Sequence, residues 1–302
     1  MNNDSFHGRV GVITGAGSGF GREFALLGAR RGMRLVLADI QADALAATLA
    51  DVQGLGAEAI VRTVDVADAA QVDALAHATM QQFGRVHAVF NNAGVGSAGL
   101  IWENSLRDWQ WTLGVNLWGV IHGVRAFVPL MLEAAKADPA YRGHVVNTAS
   151  MAGLLNPPLS GVYNVSKHAV VSLTETLHHD LALVGEQVHC SVLCPYYVPT
   201  GIHASHRNRP AELASENPAT RSQRVAQSLV EKAVTSGKVS AADVAQMTFD
   251  AIEQRRFYIA SHPQALGGVL QRAEDIVALR DPVDPFGQRE GVRESLIEAL
   301  RK

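Results

Sequence analysis

Cysteine and excess charge are both scarce in this chain. Cys190 and Cys194 are its only cysteines. They lie in one predicted strand, about 13 Å apart, which is beyond disulfide reach. Two thiols on one strand also cannot approach a single tetrahedral zinc ion, so we expect both to be small core residues. The formal net charge of -3 gives no electrostatic signature for nucleic acid or an anionic membrane.

Membrane and export signals are missing as well. The sequence has no run of about 18 apolar residues, and its first residues lack the charged and apolar regions of a signal peptide. We therefore expect a cytoplasmic protein that binds neither membrane nor nucleic acid. Hydrophobic residues make up 47% of the 302 residues and charged residues 18%, which is enough apolar material for a large core.

Predicted strands and helices alternate along most of the chain. The predicted strands are 9–14, 34–38, 57–64, 86–90, 143–149, 188–193 and 257–260. The first helix ends at about residue 31, and the other helices span about 41–53, 69–83, 105–136, 162–184, 241–256, 263–277 and 288–301. Right-handed crossovers return each strand of a βα unit beside the last. The pattern predicts one α/β domain over 1–302, a doubly wound parallel sheet of about seven strands with helices on both faces.

The last third of the chain has a different composition. Residues 203 to 238 are polar with few large apolar side chains, so 196–238 is predicted to be a substrate-binding flap rather than a second domain. Arg207 and Arg209 on this flap could bind an acidic group of a substrate or lie in solvent. Residues 283–302 form a predicted C-terminal extension, and packing on a neighbouring subunit is one role for it.

A glycine-rich loop follows the first predicted strand. It contains Gly15, Gly19 and Gly21, with Ser18 and Phe20 between them. Glycine is needed where the backbone turns tightly and where a pyrophosphate approaches a helix N-terminus. The order strand, glycine loop, helix therefore predicts a dinucleotide site.

Asp39 ends the second predicted strand, where a carboxylate accepts hydrogen bonds from the adenosine ribose hydroxyls and repels a 2′-phosphate. Neither Ser18 nor Ile40 supplies the cation that NADP requires, so NAD is favoured over NADP. The alternative is that Asp39 only caps the helix that begins near Gln41.

Tyr163 and Lys167 lie one helical turn apart, and Ser150 closes a predicted strand upstream. Residues i and i+4 share a helix face, so the Lys167 ammonium is expected near the Tyr163 phenol. A nearby cation lowers the pKa of a phenol from its ordinary value near ~10, toward the range useful for proton transfer to an alcohol. Such a trio is typical of hydride-transfer chemistry. A bare Y-x-x-x-K is common, and by itself it also fits a core tyrosine and a solvated lysine.

The chain resembles the short-chain dehydrogenase/reductase family over roughly residues 8 to 200. The matching elements, in the family's order and spacing, are Thr14-Gly-Ala-Gly-Ser-Gly-Phe-Gly21, Asp65-Val66, Asn91-Asn-Ala-Gly94, Asn116, Ser150 and Tyr163-Asn-Val-Ser-Lys167. The resemblance implies a Rossmann-type fold, an NAD-dependent oxidoreductase, a small-molecule alcohol or ketone substrate, and a homodimer or homotetramer built on the helices at 105–136 and 162–184.

The resemblance also implies roles for individual residues. Asn116 would order a water near Lys167, Ser150 would hydrogen-bond the substrate oxygen, and Tyr163 would exchange the alcohol proton. The implied cofactor residues are Gly15, Ser18, Gly19, Phe20, Gly21, Asp39, Asp65, Val66, Asn91, Asn92, Ala93, Gly94, Tyr163, Lys167, Pro195, Val198 and Thr200.

One departure from the family pattern lies after the sixth strand. Tyr196 follows Pro195 where the family usually has glycine, so the loop must take another path near the nicotinamide end. Tyr196 is a candidate wall of the substrate pocket or a surface-loop tyrosine. The predicted substrate contacts are Ser150, Met151, Leu155, Tyr163 and Tyr196, with Val95, Trp102, Leu154, Pro157, Pro158 and Tyr197 nearby.

This apolar, partly aromatic set favours a hydrophobic or aryl secondary alcohol and its ketone over a sugar. Two other functions stay open: a non-catalytic NAD(H)-binding regulatory protein on the same fold, and a sugar-nucleotide epimerase or dehydratase. The glycine spacing argues against the second of these. His178, His179, His203 and His206 suggest a metal, but adjacent helix residues splay apart and hydride transfer needs none.

Overall fold

A parallel sheet runs through the centre of the computed structural model, which describes residues 5–215, 217–287 and 291–301. The strands in this part of the chain are β1 (Val10–Thr14), β2 (Arg34–Asp39), β3 (Ala59–Thr63), β4 (Ala88–Asn91), β5 (Gly143–Thr148), β6 (Val188–Cys194) and β7 (Tyr258–Ala260). They pair in the order β3-β2-β1-β4-β5-β6-β7, and every pair is parallel.

Helices cover both faces of this sheet. They are α1 (Gly19–Arg30), α2 (Ala42–Gly54), α3 (Ala69–Phe83), α4 (Leu106–Leu113), α5 (Gly119–Ala137), α6 (Gly161–Val184), α7 (Arg221–Thr235), α8 (Ala241–Gln254), α9 (Gly267–Val277) and α10 (Val292–Arg301). Alternate strand residues point to opposite faces. Leu37 of β2 accordingly packs with Phe24 and Phe249, whereas its neighbour Val36 packs in a second core with Phe127. The predicted doubly wound α/β fold is confirmed.

The sequence did not predict α7, which lies inside the proposed flap. The sequence feature that marks the start of α7 is a capping box formed by Thr220 and Gln223. Gln223 N donates to Thr220 Oγ1 at 3.3 Å, and Thr220 N donates to Gln223 Oε1 at 2.9 Å. Polar and charged side chains make up most of α7, which gives the segment the composition of a surface flap, although its apolar residues, among them the buried Ala226 and Val234, recur at helical spacing. The predicted helix over 263–277 begins with a 3₁₀ turn, Pro263–Leu266. Residues 288–290 of the predicted helix over 288–301 lie outside the described residues.

The predicted helix over 105–136 is one continuous run with a π-helical turn, Gly114–Trp118, between α4 and α5. Among the described residues, this run, Leu106–Ala137, is the one helix long and apolar enough to cross a membrane. Buried core helices meet the same criterion, and α5 buries Val120, Phe127 and Met131 against the sheet.

Both cysteines are buried and free on β6, as predicted. The neighbouring strand carries a buried histidine, His144, whose Nε2 lies 2.7 Å from Ser191 Oγ. Ser191 Oγ donates its own proton to Arg256 O at 2.7 Å, so it accepts one from His144 Nε2. This is a neutral imidazole, and burial lowers the pKa of His144 to about 3.

We expect His144 to make the fold less stable in acid. Its folded pKa lies below its unfolded value of about 6.5, so the unfolded chain binds a proton that the folded chain does not. The His144 contribution is complete above that value and is lost as pH falls from about 6.5 toward 3, by about 1.4 kcal/mol per pH unit. Urea unfolding at pH 7 and pH 5 should show a smaller loss in His144→Gln than in wild type. The exposed His77→Gln should behave as wild type, and an equal loss in all three proteins would refute the assignment.

Candidate active site

A cavity of about 640 Å³ lies at the carboxyl ends of the strands. The chain runs outward from β1 through β2 to β3 on one side, and outward from β4 to β7 on the other. The loops after β1 and β4 therefore diverge, which is where open α/β sheets bind ligands. The cavity is lined by every predicted cofactor residue of the glycine loop except Gly21, and also by Asp39, Asp65, Val66, Asn92, Ala93, Gly94, Tyr163, Lys167, Pro195, Val198 and Thr200.

The glycine loop follows β1 and leads into α1. Gly19 has a φ of 52°, a conformation that favours glycine, and it lies at the cavity surface beside the Thr200 side chain. Gly21 lies behind the loop, where an added Cβ would be 2.0 Å from Gly15 O. The two glycines thus let the loop turn tightly and expose the N-terminus of α1 to the cavity. Unpaired helix N–H groups at such a position suit a pyrophosphate.

Asp39 is fixed beside this loop by two backbone donors. Gly17 N donates to its Oδ2 at 2.8 Å, and Gln41 N donates to its Oδ1 at 2.9 Å. The N-cap residue of α2 is Gln41 itself, so the helix-cap alternative for Asp39 is wrong. The oriented carboxylate lines the cavity and can accept hydrogen bonds from ribose hydroxyls.

The sequence did not indicate a cation on the cavity that Asp39 lines. Arg207, from the predicted flap, lines the same cavity and donates from Nε to Gln41 Oε1 at 3.3 Å. Its Nη1 also donates to Ala204 O at 2.8 Å. The residues next to the glycine loop gave no sign of it, because the contact spans 166 positions in sequence.

The loops after β3 and β4 complete the cofactor end of the cavity. Asp65 Oδ1 accepts a hydrogen bond from Ala67 N at 2.9 Å, which fixes the turn that presents Asp65 and Val66. Asn92 donates from Nδ2 to Thr14 O at 3.0 Å and so ties the β4 loop to the end of β1.

Asn91 was expected to line the cofactor path, but it does not. It is 3% exposed, and its Nδ2 donates to Asn147 Oδ1 at 2.8 Å inside the sheet. It is also covered by Gly123 of α5, where an added Cβ would be 1.9 Å from Asn91 Oδ1. Alternation along β4 explains the error, because neighbouring side chains point to opposite sides and only Asn92 reaches the cavity.

Lys167 and Tyr163 meet on one face of α6. Lys167 is 2% exposed, and its Nζ donates to Thr148 O at 2.8 Å and lies 5.7 Å from the centre of the Tyr163 ring. Burial lowers the pKa of Lys167 to about 8. The bond to Thr148 anchors the ammonium to the end of β5, beneath the cavity.

The expected lowering of the Tyr163 pKa by Lys167 is wrong for this structure. Burial raises the pKa of Tyr163 above its ordinary value, and the hydrogen bond with Ser150 acts in the opposite direction but is weaker. The physical reason is that the Lys167 ammonium points at the Thr148 carbonyl and is itself desolvated. Tyr163 is therefore a neutral phenol here, in the protonation state that donates a proton to a ketone oxygen.

Ser150 lies between β5 and the loop after β6. Its Oγ accepts a hydrogen bond from Ala152 N at 3.1 Å and donates to Pro195 O at 3.4 Å. Ser150 also caps the 3₁₀ turn Met151–Gly153, which holds its hydroxyl beside that of Tyr163.

Asn116 lies in the π-helical turn between α4 and α5, a deformation that often occurs at functional sites. It is fully buried; its Oδ1 accepts from Val95 N at 2.8 Å, and its Nδ2 donates to Val95 O at 2.9 Å and Ser166 Oγ at 3.1 Å. A Cβ on Gly94 would lie 3.4 Å from Asn116 Oδ1 and 3.6 Å from Lys167 Nζ. Asn116 is therefore behind the cavity wall, across Gly94 from the lysine.

A second, smaller cavity of about 160 Å³ adjoins Ser150 and Tyr163. All five predicted substrate residues line it: Ser150, Met151, Leu155, Tyr163 and Tyr196. The backbone N of Tyr196 donates a hydrogen bond to Ser261 Oγ at 3.0 Å. This bond fixes the course of the loop that has Tyr196 in place of the usual glycine. Trp102, expected nearby, is instead 76% exposed.

Sequence reasoning missed several residues of this cavity. His203, Gln227, Val230, Val234, Pro285 and Phe286 all line it. The second flap arginine is not free to bind an acidic substrate, because Arg209 donates from Nη1 to Asp108 Oδ1 at 2.6 Å and lies over the Trp111 ring. Within the described residues, no group of three or more His, Cys, Asp or Glu side chains could hold a metal ion.

Known proteins resemble this chain along most of its length. A model of the short chain dehydrogenase family matches residues 9–211. A short chain dehydrogenase/reductase from Burkholderia phymatum, solved in complex with NAD, is 55% identical with a TM-score of 0.90, covering 93% of this chain and 98% of that one. The CLA biosynthesis dehydrogenase/reductase of Lactiplantibacillus plantarum is 34% identical over 90% of this chain and 94% of its own length.

The 1-deoxy-11-beta-hydroxypentalenate dehydrogenase of Streptomyces exfoliatus is 33% identical, over 89% of this chain and 88% of its own length. The fold and the site thus define an oxidoreductase of the dinucleotide-binding α/β class. The chain belongs to the short-chain dehydrogenase/reductase family, which confirms the resemblance seen in the sequence.

Proposed function

We propose that the protein is an NAD-dependent dehydrogenase that interconverts a hydrophobic or aryl secondary alcohol and its ketone. One observation carries this proposal: Ser150, Tyr163 and Tyr196 line both the dinucleotide cavity and the smaller cavity. The two hydroxyl groups of the predicted catalytic set therefore lie where a cofactor in one cavity meets a substrate in the other. Hydride transfer requires that the cofactor and the substrate are held next to each other, and this junction would bring them together.

The chemistry follows from the side chains at this junction. Bound NAD supplies the hydride acceptor, or its reduced form the donor, at the nicotinamide ring. Ser150 holds the substrate oxygen by a hydrogen bond and stabilises the charge that develops on it. Tyr163 donates its phenol proton to the ketone oxygen during reduction, and its phenolate form takes the alcohol proton during oxidation. Lys167, fixed at Thr148 O with its Nζ 5.7 Å from the centre of the Tyr163 ring, would hold the ribose of the bound cofactor beside Tyr163.

Asn116 has a positioning role in this scheme. Its two hydrogen bonds to Val95 hold the loop after β4, and with it Gly94, against Lys167. A water ordered near Lys167 would connect the groups that transfer the proton, Tyr163 and Lys167, to solvent.

The size of the smaller cavity supports a ring-sized substrate. A protein cavity of roughly 150 Å³ lined by apolar side chains accommodates benzene, and the cavity here has a volume of about 160 Å³. Met151, Leu155 and Phe286 give it apolar walls. One aromatic or alicyclic ring beside the carbinol carbon fits these walls better than a polyol or a phosphorylated sugar.

NAD as the cofactor is supported by the oriented Asp39 carboxylate and by the NAD bound to the related Burkholderia phymatum protein. Asp39 would accept hydrogen bonds from the ribose hydroxyls and repel a 2′-phosphate. Arg207 lies near this end, and its side chain is engaged by Gln41 and by backbone carbonyls. We therefore place NAD ahead of NADP.

We expect Asp39→Ala to shift cofactor use from NAD toward NADP. The ratio of kcat/KM for NAD to that for NADP should fall about 10- to 100-fold, because a charge-assisted hydrogen bond contributes about 1.5 to 3 kcal/mol and the repulsion is removed. Asp43→Ala, at an exposed carboxylate in the first turn of α2, is the matched control and should leave the ratio unchanged. An unchanged ratio in Asp39→Ala would refute the role of this carboxylate.

A homodimer or homotetramer and a cytoplasmic location are parts of the same proposal. The helices at 106–137 and 161–184 expose Leu106, Trp118, Val165 and Leu183, which a second subunit could cover. Light scattering of the purified protein in solution measures the number of subunits directly.

Initial rates of NADH formation with aryl, alicyclic and polyol secondary alcohols test the proposed function. Turnover that favours ring-bearing alcohols over polyols supports it. The alternative, a non-catalytic NAD(H)-binding regulatory protein, predicts NAD binding with no turnover of any alcohol or ketone. The intact set of Ser150, Tyr163 and Lys167 argues against it, because sensing NAD requires none of this relay.

A further inference from the structure

We propose that the C-terminal segment, residues 284–287 and 291–301 of the part that the structure describes, is part of the substrate site and that Phe286 sets the size of ketone the enzyme accepts. The proposal rests on the proposed function, whose catalytic residues lie on the same cavity. Phe286 and the adjacent Pro285 line the 160 Å³ cavity together with Ser150 and Tyr163. Phe286, which lies near the end of the chain, thus lines the same cavity as the hydroxyl groups of Ser150 and Tyr163.

A tight turn positions Phe286. Its backbone N donates to Asp284 Oδ1 at 2.9 Å, and Gly287 N donates to Asp284 O at 2.8 Å. The Phe286 side chain packs into a cluster with Leu159, Ala226 and Leu296. The ring therefore packs against three other segments of the chain, and its own turn fixes the backbone that carries it.

The helix α10 fastens this turn to α7. Leu296 of α10 is 8% exposed and packs against Ala226 of α7, while Arg221 Nε donates to Ala299 O at 2.6 Å. The adjacent side of α7 supplies Gln227, Val230 and Val234 to the substrate cavity. The turn, α10 and α7 thus form one packed unit with the cavity on one side.

This unit is also tied to the loop after β4. Ser222 Oγ, in the first turn of α7, accepts from Leu100 N at 2.9 Å and donates to Glu103 Oε2 at 2.6 Å. Both α7 and the C-terminal segment lie beyond residues 9–211, the part that matches the family model. This part of the substrate-cavity wall therefore lies outside the stretch that the family model matches, whereas Ser150, Tyr163 and Lys167 lie inside it.

The test is Phe286→Ala, assayed with a compact aryl ketone (acetophenone) and a longer one (4-phenylacetophenone). Removing a ring from a cavity wall leaves space that the longer ketone can fill. We expect the ratio of kcat/KM for the longer ketone to that for the compact one to rise at least about 10-fold, the usual scale of apolar pocket discrimination. Val283→Ala, directly before this segment, 54% exposed and off this cavity, should keep the wild-type ratio.

Separate control measurements report on folding and on cofactor binding in these variants. Affinity for NAD should stay near wild type in Phe286→Ala, since the dinucleotide cavity does not include this residue. Lost packing against Leu159, Ala226 and Leu296 should lower the Tm, which shows whether the variant is folded at the assay temperature. Leu296→Ala, which loosens the support of Phe286 without touching the cavity, should raise the same ratio by a smaller factor. The Kd of each ketone, from its effect on Tm in the presence of NADH, gives the same comparison without turnover.

An unchanged ratio in Phe286→Ala, by both kcat/KM and Kd, would overturn the role of Phe286. If wild type still reduces acetophenone, the proposed function survives that result. If wild type reduces neither ketone but the Kd ratio changes in Phe286→Ala, the proposed function fails and the assignment of the cavity wall stands.

Discussion

Replacing Tyr163 with phenylalanine is expected to lower kcat by about 10²- to 10⁴-fold, the usual contribution of a general acid or base. The substitution removes the hydroxyl that meets Ser150 but keeps the ring beside Lys167. Lys167 keeps its bond to Thr148 O, and the glycine loop and Asp39 are untouched, so affinity for NAD should change little. The loss should therefore appear in kcat measured from NADH absorbance, with the Kd for NAD near wild type.

Tyr258→Phe is the matched control for this variant. Tyr258 is 52% exposed, donates to Glu175 Oε1 at 2.6 Å and lines neither cavity of the active site. It should keep the wild-type kcat. Retention of more than a tenth of the wild-type kcat in Tyr163→Phe would contradict the assignment of Tyr163 as the proton donor and acceptor.

Gly21→Ala is expected to damage both the fold and the cofactor site. The added Cβ would lie 2.0 Å from Gly15 O and 2.6 Å from Gly15 C, which are backbone atoms of the loop that faces the dinucleotide cavity. The loop or α1 must shift to relieve this overlap. Overpacking of this kind costs about 1 to 3 kcal/mol and occasionally more. We expect a lower free energy of unfolding in urea and a loss of NAD binding by calorimetric titration.

Gly54→Ala provides the comparison, since Gly54 also lies in a helix but has no heavy atom within 4 Å of an added Cβ. It should be neutral or stabilise the protein by about 0.4 to 1 kcal/mol, through lower entropy of the unfolded chain. Wild-type stability and NAD affinity in Gly21→Ala would show that the loop has another conformation.

Local sequence signals were sufficient for the fold and for most of the dinucleotide site. The apolar runs around Val12, Val36 and Val145 each predict a buried strand, and parallel pairing brings their carboxyl ends to one edge. Residues at those ends, such as Gly15 and Asp39, could therefore be assigned to one site before any distance was known. The helical spacing of Tyr163 and Lys167 placed them on one face for the same reason.

Features that depend on packing between distant segments were not predictable. Arg207 reaches Gln41, and Phe286 reaches the cavity of Ser150, through contacts that no local pattern encodes. The pKa of Tyr163 depends on how burial and hydrogen bonding balance, and sequence spacing gives only the neighbouring charge. The helix α7 was missed because polar and charged side chains make up most of it, which is the composition of a surface flap.

The transfer of hydride from a carbinol carbon to NAD is the central claim, and an isotope experiment tests it most directly. Wild-type protein is incubated with NAD and 1-phenylethanol that carries deuterium on the carbinol carbon, and the reduced cofactor is analysed by mass spectrometry. The account predicts NADH that contains one deuterium, acetophenone as the product, and no labelled cofactor from Tyr163→Phe over the same time. Bound NAD that stays oxidised with this alcohol and with every other ring-bearing alcohol, or NADH without deuterium, would contradict it.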